Sequence, residues 1–207
     1  MLLRVKFSKE YDEKRIRSTL DRFEWLHSRG YRINLPTSIK EKVAGCVTVT
    51  DAEIKNVVES DFDETLYENK KAQIVADWRK IEDSFTEGLD LLKGFSQLEY
   101  FVTITKYGVG GSYHTPDKVI LNIDYSPRKD AWETLAHEII HLNIEPWVQE
   151  YKIEHWTKER VVDLIFGKIF PDKQKLQTAP AHAEEVHQIF NAQFPNIHAI
   201  LADLGRP

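Results

Sequence analysis

The residues of this chain that are best suited to metal binding and catalysis are two histidines four residues apart, with a glutamate directly after the first. They are His137, Glu138 and His141, in the stretch HEIIH. On a helix, side chains four apart lie one turn from each other, so both imidazoles can reach one metal ion. Glu138 is rotated by about 100° from His137, which places its carboxylate beside such an ion. This H-E-x-x-H spacing predicts two metal ligands and a general base.

A catalytic site of this kind needs a third protein ligand, because zinc takes about four neighbours and one position is left for water. Glu145 keeps the four-residue spacing but lies too far from His137 to share an ion with it, since eight residues of helix span about 12 Å. We also expect Pro146 to end or bend the helix at that point. The next helical segment, HWTKERVVDLIFGKIF, carries Glu159 and Asp163. If this segment packs back on the first, Glu159 becomes the third ligand and Asp163 accepts the free N–H of a ligand histidine. His155 is the alternative third ligand.

With these residues the chain resembles the gluzincin zinc metallopeptidases, the thermolysin-like clan with H-E-x-x-H and a later E-x-x-x-D. Its size is similar to that of the minimal single-domain members. The resemblance covers about a third of the chain, roughly residues 99 to 170. It implies one zinc ion per chain on His137, His141 and Glu159, with Glu138 as the general base of peptide hydrolysis and Asp163 in support.

The resemblance also implies a protein or peptide substrate whose backbone lies along a strand edge above the metal helix. The stretch GGSYHTPDKVILN has the corresponding place in the chain, so Gly111, Ser112 and Tyr113 are the candidate edge. The glycine and histidine that extend the motif in metzincins are absent, because Ile144 and Trp147 stand there.

Peptide hydrolysis further requires a hydrogen-bond donor for the developing oxyanion. Four side chains on or after the motif helices are candidates, and the sequence does not separate them: Tyr151, His155, His182 and His187.

Other interpretations of the motif stay open at this point. HEIIH can be a helix face that binds no metal. The chain can be a catalytically inactive zinc-binding module with a regulatory or protein-interaction role, or a peptidase that acts on a single partner. Manganese, cobalt or nickel can also occupy a site of nitrogen and oxygen ligands.

Hydrophobic periodicity predicts the elements that position these residues. Apolar residues at helical spacing indicate a helix over residues 8–29, a short helix after a capping box of Thr50 and Glu53, and one long helix over Glu68–Leu92. EYFVTITK and KVILNID alternate as strands do, and the glycine-rich stretch between them indicates an edge element. We expect Ser126 and Pro127 to begin the metal helix.

The predicted fold is α+β. A small, mainly antiparallel sheet packs on the H-E-x-x-H helix and on the glutamate-bearing helix. Residues 1–95 form an N-terminal, mainly helical region of unknown role, and residues 96–207 form a zincin-like domain, although the two can be one continuous domain.

Composition limits the partners. The 33 acidic residues outnumber the 28 basic ones and give a net charge of −5, so no nucleic-acid partner is indicated. Cys46 is the single cysteine, which excludes an intramolecular disulfide and a cysteine-rich metal cage. The N-terminus does not read as a secretory signal and no stretch is long and apolar enough for a membrane span, so we expect a cytoplasmic protein. Nothing in the sequence indicates the oligomeric state.

Overall fold

The structure is a computed structural model that describes residues 1–124, 130–173, 176 and 181–205. Its strands are β1 (Leu2–Lys6), β2 (Glu99–Thr105), β3 (Gly111–His114) and β4 (Lys118–Asn122). Its helices before the sheet are α1 (Lys9–Asp21), α2 (Phe23–Ser28), α3 (Thr37–Ala44), α4 (Asp51–Asp61), α5 (Glu64–Arg79) and α6 (Glu82–Leu92). The helices after it are α7 (Ala131–Glu150), α8 (His155–Ile169), α9 (Ala183–Gln193) and α10 (Ile197–Leu204), with a short 3-10 turn at Pro171–Lys173.

The four strands form one sheet in the order β1-β2-β4-β3. β1 pairs with β2 and β2 pairs with β4 in parallel, and β3 is antiparallel to β4. The mixed helix-and-sheet class is confirmed, but the prediction of a mainly antiparallel sheet is wrong. The reason is topological: β4 lies between β2 and β3, so β3 is displaced to the edge, and β1 adds a further parallel neighbour on the other side.

One face of the sheet is buried against the helices. Alternate residues of the two central strands turn to that face: Tyr100, Val102, Ile104, Val119 and Leu121. They belong to the main hydrophobic core together with residues of α5–α10. This alternation confirms the two strands expected from the sequence, and it places α7 against β3 and β4.

Two helices predicted before the sheet are each divided in the structure. The helix predicted over residues 8–29 is two helices, α1 and α2, which meet at Arg22. The single long helix expected over Glu68–Leu92 is two helices, α5 and α6, separated at Lys80 and Ile81. The apolar stripe continues across the break, because Trp78 and Phe85 are both buried and touch edge to face. Periodicity therefore does not reveal the turn. The capping box at Thr50 and Glu53 is present at the start of α4.

The metal-motif helix α7 begins at Ala131, after Asp130 at its N-cap position. Ser126 and Pro127, the expected start, lie outside the described residues. Pro146 is predicted to end or bend this helix, and it does not end it, because α7 runs through it to Glu150. Proline removes one helical hydrogen bond, and the buried Ile144 and Val148 on either side hold this turn in the core.

The main core draws on both sides of the boundary suggested near residue 95, since it contains Tyr67 and Phe85 as well as residues of α7 and α8. A smaller second core joins α1, α3 and α4 to the segment after β2: Ile16, Leu35, Ile39, Ile54, Val58 and Tyr107. The division into two regions stays a prediction. In the described part of the chain, no helix has both the length and the apolarity that crossing a bilayer requires.

Candidate metal centre

Three side chains of α7 and α8 bring their ligand atoms to one point. The Nε2 atoms of His137 and His141 are 3.1 Å apart, and Oε2 of Glu159 lies 3.3 Å from each of them. All three residues are buried, with at most 7% of their surface exposed. This buried group can hold a metal ion.

The chain reaches this arrangement by a short reversal between the two helices. α7 ends at Glu150 and α8 begins at His155, so four residues turn the chain back. Lys152 adopts a left-handed backbone conformation, with φ of 52°, inside that turn. Glu154 then caps α8, because its carboxylate accepts hydrogen bonds from the backbone N–H groups of Trp156 and Thr157. Glu159 consequently lies on the first turns of α8, opposite the histidines.

The distances between the three ligand atoms fit tetrahedral coordination of one ion. Bonds of about 2.0 Å at tetrahedral angles place neighbouring ligand atoms about 3.3 Å apart, and the observed separations are 3.1 and 3.3 Å. Two imidazoles and one carboxylate are also the donor types that zinc accepts when a fourth position is kept for water or substrate. The residues present therefore fit a zinc ion.

Outer contacts hold the ligand rings in place. Oδ1 of Asp163, one turn after Glu159, lies 3.4 Å from Nδ1 of His137, and Asp163 is fully buried. This contact orients the His137 ring so that its Nε2 faces the centre. The ring of His141 is fixed differently, because Tyr113 stacks on it with ring centroids 4.7 Å apart and planes 12° from parallel.

Burial and mutual charge set the ionisation of the ligands. Burial lowers the pKa of His141, which favours the neutral imidazole that a metal ion requires. Burial alone would raise the pKa of Glu159, but His141 and His137 outweigh it and hold the pKa of that carboxyl well below its ordinary value. At neutral pH the carboxylate is therefore ionised.

Glu138 faces the edge strand. It is the residue after the first ligand and is 8% exposed. A methyl group on Gly111 would overlap its Oε1 atom and would lie 2.8 Å from Cγ2 of Thr134. The absence of a side chain at Gly111 thus lets the strand backbone pass directly over the carboxylate.

The other candidate edge residues have distinct partners. Ser112 accepts a hydrogen bond through Oγ from the buried guanidinium of Arg15, at 3.0 Å. The hydroxyl of Tyr113 donates to Glu145 at 2.6 Å and accepts from Lys158 at 2.9 Å. Glu145, which spacing excluded as a ligand, instead anchors the edge strand.

An open cleft of about 560 Å³ lies over these residues. Besides the metal-centre and β3 residues, its lining includes a segment from the N-terminal region, residues 22, 25, 26 and 29–32. Tyr31 of that segment has its hydroxyl 2.8 Å from Nε2 of His155. Nδ1 of His155 is in turn 3.9 Å from Oε1 of Glu159. Tyr31 was missed by sequence reasoning, because no motif marks it and the chain returns to it only in the fold.

The four candidate oxyanion donors separate in the structure. His155 lines the cleft, whereas the lining contains none of the other three. Tyr151 bonds through its hydroxyl to His198 at 2.7 Å, and His182 bonds to the hydroxyl of Thr157 at 3.0 Å. His187 lies on α9, and its Nε2 is buried without a hydrogen-bond partner in the described part of the chain.

Comparison of this chain with protein-family models, with curated proteins and with solved structures finds no match. The interpretation of the centre therefore depends on its geometry and on the chemistry of its residues.

Proposed function

We propose that this protein is a zinc-dependent metallopeptidase that hydrolyses peptide bonds. The observation that carries the proposal is the convergence of His137, His141 and Glu159 at 3.1 to 3.3 Å, in a cleft that Glu138 also lines from below the edge strand. A metal-ligand triad alone can be structural. A carboxylate beside it, in an open cleft, is what hydrolysis needs.

Glu138 is the proposed general base. Zinc, when bound, supplies Lewis acidity that polarises a carbonyl group and makes water more acidic. Glu138 takes a proton from the attacking water and returns it to the amine that leaves when the peptide C–N bond breaks. Its position under Gly111 keeps the carboxylate close to any peptide that lies along β3.

The edge strand is the proposed docking line for the substrate backbone. β3 is the last strand in the sheet order and pairs with β4 alone among the described strands. An extended peptide can add to such an edge through main-chain hydrogen bonds, which are independent of its sequence. The anchoring of Tyr113 by Glu145 and Lys158 keeps this edge rigid over the metal centre.

Tyr31 is the proposed donor for the oxyanion, and His155 holds its hydroxyl in place by donating to the hydroxyl oxygen through Nε2–H. Both line the cleft and they bond to each other at 2.8 Å. Burial raises the pKa of Tyr31, so its hydroxyl keeps its proton and can donate. One preorganised donor of this kind is typically worth about 100-fold or more in turnover.

A cytoplasmic setting is part of the proposal. The chain has one cysteine, Cys46, which is free and exposed. Such a thiol is best kept in a reducing compartment. The bound ion is proposed as zinc because of the ligand set and its separations.

The test is Glu138→Gln, which keeps the shape of the side chain but removes the base. We expect zinc content to stay at about one ion per chain and hydrolysis of a mixed peptide pool to fall at least about 100-fold. Glu150→Gln, an exposed glutamate at the end of the same helix, is the matched control and should leave both unchanged. Retained hydrolysis in Glu138→Gln would contradict the mechanism. No hydrolysis by the zinc-loaded wild type would favour a catalytically inactive zinc-binding module.

A further inference from the structure

The N-terminal region supplies a cationic and aromatic wall to the cleft. It consists of side chains from residues 22–32, at the end of α1, on α2 and in the loop after it. Arg22, Arg29 and Trp25 are exposed parts of this wall, and 41% of the Trp25 surface is accessible. A large exposed aromatic side chain flanked by arginines at a cleft is typical of a recognition surface.

The charges in the cleft are separated by element. Its carboxylates belong to α7 and α8, where Glu145 is bonded to Tyr113 and Glu159 faces the ligand histidines. Its arginines belong to residues 22–32. Among the ion pairs of the described residues, none includes Arg22 or Arg29. A chain of net charge −5 thus presents two arginines without a close ion-pair partner, in the part of the chain that the structure describes, on one side of its cleft.

This wall adjoins the metal centre through ring contacts. The guanidinium of Arg29 lies 4.2 Å from the ring centroid of Trp25, which stacks on Tyr31 at 6.0 Å. Tyr31 bonds to His155, whose ring is 3.9 Å from the ligand Glu159. A substrate group bound by the wall is therefore separated from Glu159 of the candidate metal centre only by Tyr31 and His155.

The exposed Arg22 lies close to a further cation, the buried Arg15. Burial, with the nearby charge of Arg22, lowers the pKa of Arg15 to about 10. Arg15 donates to Ser112 of the edge strand. Positive potential consequently extends from the wall toward the proposed docking line. An anionic group between the two would be attracted by both Arg22 and Arg15.

We propose that residues 22–32 form a subsite that receives a carboxylate of the peptide substrate, with Arg22 and Arg29 as its recognition residues. The inference rests on the proposed function, since it names the substrate class for the same cleft. The carboxylate comes from an aspartate or glutamate side chain, or from a free C-terminus. Guanidinium groups suit both, because their planar N–H pairs match a carboxylate.

The experiment measures binding separately from turnover. Zinc-loaded Glu138→Gln protein is titrated with fluorescent degenerate peptide pools, and anisotropy is recorded. Three pools have an amidated C-terminus and carry glutamate, glutamine or lysine at one fixed position. A fourth carries glutamine and a free C-terminus. We expect the glutamate pool, the free C-terminus pool or both to bind about tenfold tighter than the amidated glutamine pool, with weaker preference at high salt.

Variants assign the preference to the wall. Arg22→Gln together with Arg29→Gln should bring all pools to within about twofold of each other. Arg79→Gln, which removes the same charge from the exposed end of α5, should leave the preference intact. Three results would overturn the subsite. The carboxylate pools and the amidated glutamine pool bind equally, the preference survives the double change, or no pool binds.

Turnover of the same pools by the wild type keeps the two proposals distinguishable. Arginine-dependent binding without cleavage would leave the subsite standing and contradict the peptidase. Cleavage without any carboxylate preference would leave the peptidase standing and contradict the subsite. The pool that gains affinity identifies the source, since a side-chain carboxylate favours the glutamate pool and a chain end favours the free C-terminus pool.

Discussion

Gly111 and Glu138 are in such close contact that the strand residue has no room for a side chain. A methyl group at position 111 would overlap Oε1 of the Glu138 carboxylate. The contact joins the edge strand to the helix that carries both histidines of the candidate metal centre. It connects the proposed docking line for the substrate with the proposed general base.

Gly111→Ala is expected to lower turnover while the metal stays bound. The atom that overlaps most, Oε1 of Glu138, is the end of a flexible side chain, so the carboxylate would move. The methyl group of Thr134, which would lie 2.8 Å away, must also shift, so we expect some loss of stability as well. A displacement of about 1 Å at a reacting group can cost about 100-fold in rate. Peptide hydrolysis and zinc content of the variant check this. Gly45→Ala, at the end of α3, is the control, since a methyl group there meets no atom closer than 3.4 Å. Full activity in Gly111→Ala would show that the close approach does not position Glu138.

Asp163→Asn is expected to weaken metal binding. The aspartate lies 3.4 Å from Nδ1 of His137 and is fully buried, so its proposed role is to orient the ring of a candidate ligand and not to bind the ion itself. Loss of such an outer partner typically costs about 10- to 100-fold in affinity. Competition with a chromophoric chelator measures the change, and circular dichroism checks the fold. The exposed Asp172→Asn is the control. Unchanged zinc affinity in Asp163→Asn would remove Asp163 from the account.

Tyr31→Phe is expected to lower turnover by about 10- to 100-fold, because the variant loses the hydroxyl that bonds to His155 in the cleft. Zinc content should not change, since Tyr31 is not among the ligands. Tyr151→Phe is the matched control, because the hydroxyl of Tyr151 bonds to His198 and does not line the cleft. Loss of activity in Tyr151→Phe with full activity in Tyr31→Phe would reverse the assignment of the donor.

The local part of the centre was predictable from sequence because helical spacing determines it. His137 and His141 lie one turn apart on α7 wherever the helix is placed, and Glu138 follows from the same geometry. Glu159 required one further assumption, a reversal between two helices. The structure makes that reversal with four residues, although Pro146 does not end α7 as expected.

The non-local part was not predictable. β1 was missed because LLRVK is short and pairs in parallel with a strand almost a hundred residues away. Whether neighbouring strands are parallel or antiparallel depends on the strand order, in which β4 lies between β2 and β3. The alternation of apolar residues does not encode that order. Tyr31 and the arginines beside it carry no motif, and only the fold, in which Tyr31 bonds to His155 of α8, brings them to the cleft.

One zinc ion held by His137, His141 and Glu159 is what both the proposed peptidase and its substrate subsite depend on. The most direct test is metal stoichiometry by mass spectrometry on untagged protein purified without chelators, with the wild type beside Glu159→Ala. Because the three ligand atoms lie within 4.8 Å of one another, we predict about one zinc per chain in the wild type and clear loss in the variant. A wild-type protein without metal after zinc is supplied, or undiminished zinc in Glu159→Ala, would contradict the account.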